Sequence, residues 1–123
     1  MSHSIPTLLT RNLHDVFGEN DPERRRRAIE DIFAEEALFH DPRTGVHRGW
    51  DEIDRIARAI KSTHPDFRYT PIREPEDLGG AAGRIQWVSG RANEAPTYAG
   101  TDFIVARDGR IAALYLFFDP LPA

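Results

Sequence analysis

Two aspartates stand where an ordinary fold has little use for them. Asp41 lies in "LFHDPRTGVHRG" (Leu38 to Gly49), where an apolar run breaks into a loop shaped by proline and glycine. Asp102 lies inside "GTDFIVA", a stretch that otherwise has the composition of a strand. A carboxylate at the mouth of a pocket is ionised at neutral pH and can take a proton from carbon or water. A carboxyl buried among apolar groups has its charged form disfavoured, so it keeps a proton that it can donate to a substrate oxygen. Two carboxyls in such different settings divide the work into base and acid. Each residue also has a structural reading. Asp41 could anchor its loop by accepting backbone N–H groups. Asp102 could be a carboxyl tied to a nearby backbone or tyrosine, since burying it unpaired costs as much as a domain's whole stability margin.

Other candidates carry less. His40 precedes Asp41, but neighbours on an extended strand point to opposite faces, so they do not form a dyad. His47 and His64 read as loop residues. His40, Asp41, His47 and His64 include donors that suit zinc, yet no H-x-x-x-H or H-x-H spacing presets the geometry, and no metal site is assigned. The chain has no cysteine, which removes disulfides and thiolate chemistry together. No glycine-rich phosphate loop is present, so no cofactor is expected. The run Arg24 to Arg27 spreads around a helix and is flanked by Glu19, Glu23, Glu30 and Asp31, which reads as a solvated, salt-bridged surface. With a net charge of −4, nucleic acid and anionic membrane are not expected partners.

The elements that must position these groups follow from periodicity. Ser4 caps a first helix with Leu9, Leu13, Val16 and Phe17 on one face, ending at Gly18. Asp21 and Pro22 open a second, with Ala28, Ile29, Ile32 and Phe33 inward. A short strand, "EALFH", leads to Asp41. A third helix spans about Asp51 to Thr63, with Ile53, Ile56, Ala57 and Ile60 inward, its acids early and its bases (Arg58, Lys61) late. Strands follow: "FRYTPI", "GRIQWVSG", "TYAGTDFIVA" and "RIAALYLFF", the last two joined by a turn at Asp108-Gly109. Trp87 shares a face of its strand with Ile85, either lining a cavity or packing in an interface, and Tyr69 has the same two options. Helices first and an antiparallel sheet afterwards make an α+β arrangement. The 123 residues suit one domain over residues 1–123. No apolar run approaches the ~20 residues that span a bilayer. The N-terminus lacks the pattern of a signal peptide, and a cytoplasmic location is the default expectation.

A two-residue turn at Asp108-Gly109 pairs Arg107 with Arg110. Counting back, Ile104 faces Ala113, Asp102 faces Tyr115 and Gly100 faces Phe117. Tyr115 then becomes a hydrogen-bond partner for Asp102, or a plain aromatic–polar pair within a core. An extra residue near the turn would shift this pairing.

Three helices, "DPRTG…RG" after the first strand and "GTDFIVARDGRI" near the end resemble the nuclear transport factor 2-like superfamily, and within it the SnoaL-like (polyketide cyclase-like) branch. The resemblance covers nearly the whole chain. It implies a cone-shaped, curved antiparallel sheet wrapped around the N-terminal helices, the cystatin-like architecture, with an apolar cavity inside and a homodimer through the sheet's outer face. Within this resemblance the chain is distantly similar to ketosteroid isomerase. Asp41 matches the position of its general base, Phe33 keeps the spacing of an aromatic in its second helix, and Asp102 matches its protonated aspartate. Where the isomerase has its oxyanion tyrosine, this chain has Leu13.

The resulting expectation is cofactor-independent acid–base chemistry, of isomerase or cyclase type, on a small hydrophobic carbonyl or enol compound. Asp41 is the expected base, and Asp102, with Tyr115, the acid or hydrogen-bond donor. Leu13, Phe17, Tyr69, Trp87, Ile104 and Phe117 are the expected pocket lining. A non-catalytic module for binding a hydrophobic ligand or for dimerising is the alternative. A second alternative is an epoxide hydrolase, in which a carboxylate pair activates water.

Overall fold

A computed structural model describes residues 2–123. Helix α1 (Ile5–Arg11) starts where Ser4 Oγ accepts the Thr7 N–H at 3.3 Å. It runs directly into a π-helical segment, Asn12–Phe17. Helix α2 (Pro22–Ile32) is capped by Asp21, which accepts the Arg24 N–H at 2.8 Å. Strand β1 (Phe33–Asp41) is longer than the expected run, taking in Phe33, and β2 (Gly45–Arg48) folds back on it. Helix α3 (Gly49–Thr63) begins slightly before the acids that open its first turn. The remaining strands are β3 (Phe67–Pro71), β4 (Glu76–Leu78), β5 (Ala82–Arg91), β6 (Tyr98–Arg107) and β7 (Arg110–Asp119).

The seven strands form one sheet of order β2-β1-β7-β6-β5-β3, with β4 pairing beside β3 on β5. All pairs are antiparallel except β1 with β7. That pair is distant in sequence, so no hairpin dictates its direction. Inner-face residues Ile85, Trp87, Ile104 and Leu114 join Leu8, Leu9, Ile29 and Ile53 of the helices in one buried cluster. This is the α+β arrangement expected from the residue pattern and the cone that the family resemblance implies.

Two arrangements differ from expectation. Within the arginine run, Arg25 is not solvated: it is 2% exposed, with Nε 3.2 Å from Asp54 and Nη1 donating to the Glu19 carbonyl at 2.9 Å. It therefore fastens α2 to α3, while Arg24 and Arg26 form the surface pairs.

The second difference is register. Asp108 and Gly109 both adopt positive φ, +56° and +73°, as a tight two-residue hairpin needs, and Arg107 does pair with Arg110. But Ala106 then pairs with Ile111 and Val105 with Ala113, so Ala112 is an extra residue on β7. Such a bulge adds the local twist that bends a long hairpin into a curved sheet. Everything beyond it moves by one. Asp102 opposes Leu116, and Tyr115 opposes Phe103. Leu116 and Phe118 take the inner face, and Phe117 is left 57% exposed on the outer one.

Trp87 is accommodated because its direct partner across β6 is Gly100. A Cβ there would sit 2.4 Å from Trp87 Cζ2 and 2.9 Å from the Phe117 carbonyl oxygen. Gly100→Ala should therefore destabilise the fold by about 1–3 kcal/mol through overpacking. Urea denaturation measures this, and a loss below about 0.5 kcal/mol would show that the indole has room to move.

Candidate functional site

The π-helical segment, α3 and the inner sheet face enclose a cavity of about 280 Å³. Its walls are mainly apolar: Leu13 and Phe17 from the first helix, Phe39 from β1, Ile56 from α3, and Leu114 and Leu116 from β7. Phe17 meets Phe39 edge to face, with centroids 5.3 Å apart. Such walls exclude water, so any polar group among them acts in a low-dielectric setting.

Asp102 is the strongest such group. It projects inward from β6, is 5% exposed, and lies between Ile85 of β5 and Leu116 of β7 in the ladder. Asn12 Nδ2 is 3.5 Å from its Oδ2, a long hydrogen bond. The Trp87 indole N–H also favours the charged form, though it makes no hydrogen bond of acceptable geometry. No cation pairs with the carboxyl among the described residues. Burial therefore outweighs both donors and pushes its pKa up to about 7. Tyr69, 5.0 Å from Trp87 between ring centroids, is also desolvated; burial, aided by the Asp102 charge, raises its pKa and keeps the hydroxyl protonated.

Asp41 reaches the same cavity from the end of β1. Alternation along the strand sends Phe39 and Asp41 inward and His40 outward, where His40 stacks on Tyr115 with centroids 4.4 Å apart. Asp41 is 8% exposed, and its Oδ1 accepts the Arg43 N–H at 2.7 Å. The turn-anchor reading of Asp41 thus holds, and its side chain still borders the cavity. The exposed residues Arg43, Thr44 and Phe118, with half-buried His64 and Tyr98, border the opening.

Of the expected lining, Leu13, Phe17, Tyr69 and Trp87 face the cavity, so Trp87 and Tyr69 resolve to cavity rather than interface. Four expectations need correction. Tyr115 is on the outer face and away from Asp102, because the Ala112 bulge shifts the ladder. Phe117 faces outward for the same reason. Ile104 is fully buried but lies in packed core rather than cavity. Its neighbour across the sheet is Gly83, against which Ile5 of α1 packs, filling that end of the cone. His47 is not in a loop: it is buried in β2, with Nε2 2.8 Å from Thr44 Oγ1. No three His, Asp or Glu side chains are grouped to hold a metal among the described residues.

Asn12 and Lys61 are the residues the periodicity pointed to without their being singled out. Asn12 is one turn from Leu8 and Val16, on the buried stripe of its helix, and Lys61 is one turn beyond Ala57. Lys61 is 6% exposed, lines the cavity and donates to the Phe67 carbonyl at 2.7 Å. Burial lowers its pKa, against the pull of Asp66 and Glu19.

The Asp102 shift predicts a pH dependence of stability. Its folded pKa lies above the unfolded value, so the folded state holds more protons in between and stability falls as pH rises from about 4 to about 7. The loss is about 4 kcal/mol at most. Asp102→Asn keeps the shape and cannot ionise, so the variant should show a flatter profile and exceed the wild type above pH 7. Chemical denaturation at pH 5 and pH 8.5 measures this; parallel profiles for the two proteins would refute the shifted carboxyl.

No helix among the described residues is long and apolar enough to cross a membrane. No curated protein matches the chain in sequence. Among solved structures, a proposed isomerase of the SnoaL-like family from Agrobacterium tumefaciens str. C58 superposes with a TM-score of 0.83 at 26% identity, over 93% of this chain and 96% of its own. A proposed polyketide cyclase from Sinorhizobium meliloti gives 0.68 at 23% identity, over 91% and 94%. A proposed ketosteroid isomerase from Kribbella flavida gives 0.68 at 18%, over 97% and 83%. The last two likenesses establish the fold alone. The sequence profile of the SnoaL-like domain matches residues 10–114, and the chain belongs to that family.

Proposed function

We propose that this protein is a cofactor-independent enzyme of isomerase or cyclase type acting on a small apolar carbonyl or enol compound. The observation carrying this reading is that a carboxyl with a pKa pushed up to about 7, Asp102, borders the same apolar cavity as Asp41. In this reading Asp41 removes a proton from a carbon next to the carbonyl. Asp102, protonated, and the Tyr69 hydroxyl donate to the oxygen on which charge develops. Tyr69 takes the part that sequence reasoning had given to Tyr115. The 26%-identical relative, a proposed isomerase of the SnoaL-like family, supports the class of chemistry.

Hydrogen–deuterium exchange at carbon tests the proposal without knowledge of the natural substrate. Small cyclic and aromatic ketones in D₂O should gain deuterium faster with the wild-type protein, read by mass spectrometry. Asp41→Asn and Asp102→Asn should each lower the rate by about 10²–10⁴-fold while still binding the ketones. The rate should fall as pH rises through about 7, because Asp102 must keep its proton to donate it. Ketones bound equally by all three proteins, with no exchange above buffer, would identify a non-catalytic binding module instead.

A further inference from the structure

The proposed chemistry uses the inner part of the cavity and leaves Arg43 unassigned. Arg43 lies at the opening, and its position is set twice. Its backbone N–H is held by Asp41 Oδ1 at 2.7 Å. Its guanidinium lies over the Phe118 ring at 4.3 Å from the centroid and near the Tyr98 ring at 5.4 Å. Stacking on aromatic faces uses the flat side of a guanidinium and leaves its N–H fork, at the edge, free to donate. Arg11, Arg25, Arg26 and Arg84 each direct that fork to a carboxylate of this chain. Arg43, like Arg48, Arg58 and other surface arginines, pairs with no carboxylate among the described residues, but unlike them it borders the cavity.

The charges around the cavity point the same way. Besides the two aspartates, the ionised lining groups are Arg43 and the Lys61 ammonium, of which the latter makes a single hydrogen bond, to a backbone carbonyl. Arg43 and Lys61 thus match the two carboxyls in number, and of these four groups only Arg43 is exposed. Arg43 stands at the exposed end of this lining and the walls beyond it are mainly apolar, so the cavity suits a molecule with one acidic end and an apolar body.

We infer that the cavity takes an apolar molecule bearing a carboxylate, with the Arg43 guanidinium holding that carboxylate at the opening and the apolar body buried towards Asp102. A planar fork binds a carboxylate through two parallel N–H···O bonds, which fixes direction as well as affinity. The acidic end then orients the rest of the molecule, so the same reacting carbon meets Asp41 each time. This inference rests on the proposed function for the use of that orientation, but not for the binding itself.

Calorimetry with the full chain tests it, using 2-naphthoate and 2-naphthamide, two probes of the same shape that differ in charge. At low salt the wild type should bind naphthoate about tenfold or more tightly than the amide. Arg43→Gln should bring the two affinities within about twofold, mainly by weakening naphthoate, and Arg43→Lys should keep part of the preference. Arg107→Gln, an exposed change in the β6–β7 hairpin, should leave it intact. Equal affinity in the wild type, or a preference that survives Arg43→Gln, would overturn the anchor while leaving the two-aspartate chemistry standing. Binding of neither probe would overturn the anchor and the ligand cavity together, whereas a failure of ketone exchange alone would leave the anchor in place.

Discussion

One carboxyl in the interior of a sheet governs most of what is unusual about this protein. Asp102 has Ile85 and Leu116 as its neighbours across the ladder and an apolar hollow in front of it. A charge there has no cation to pair with among the described residues, and the Asn12 amide that donates to it is at the limit of hydrogen-bonding distance. Neutralising the group by protonation is cheaper than solvating its charge, which is why burial dominates over Asn12 and Trp87. The surrounding groups fit this state. Tyr69 keeps its proton in the same dry region, and Asn12 is brought to the carboxyl by a π-helical segment, a wider turn often found at functional sites.

The outer part of the cavity obeys different rules. Asp41 ends a strand at a proline, so its carboxylate can serve the turn and the cavity at once; Oδ1 holds the Arg43 N–H. Its structural and chemical readings are two uses of one side chain. The same bond fixes the backbone of Arg43, while Tyr98 and Phe118 fix its guanidinium. Elsewhere, buried Arg25 pairs with half-buried Asp54 to join α2 to α3, and the Trp50 indole N–H donates to the Phe33 carbonyl at 3.0 Å, joining α3 to β1. Breaking the Arg25 pair by removing one partner would leave a buried charge, so these helices keep a defined place over the sheet.

Gly100 shows how the sheet makes room for the site. Trp87 faces the cavity from β5, and its indole lies across the place where a side chain at position 100 would begin. The outward half of the same hairpin, with Phe103 and Tyr115 near one another and Phe117 exposed, is the other consequence of the alternation that turns Asp102, Leu116 and Phe118 inward.

The sequence alone was enough to identify the three helices, the order of the long strands and the two aspartates. Each rests on local physics: Ser4 and Asp21 as caps, a 3.6-residue apolar stripe, a two-residue alternation, and an acid placed where burial should exclude it. Periodicity put Leu13 and Phe17 on the inner face of their helix, the family resemblance supplied the cavity, and whether Tyr69 and Trp87 faced it or an interface was left to the tertiary structure. Register did not. A hairpin turn fixes pairing only until a bulge, and Ala112 carries no mark distinguishing it from Ala113, so the partner of Asp102 depended on how far the sheet had to curve around the helices. Nor could local pattern reveal that Arg43 would lie over Tyr98 and Phe118, or that Arg25 alone of four arginines would be buried. Those placements bring together residues far apart in the chain, and only the packing of helices against the inner face of the sheet decides them.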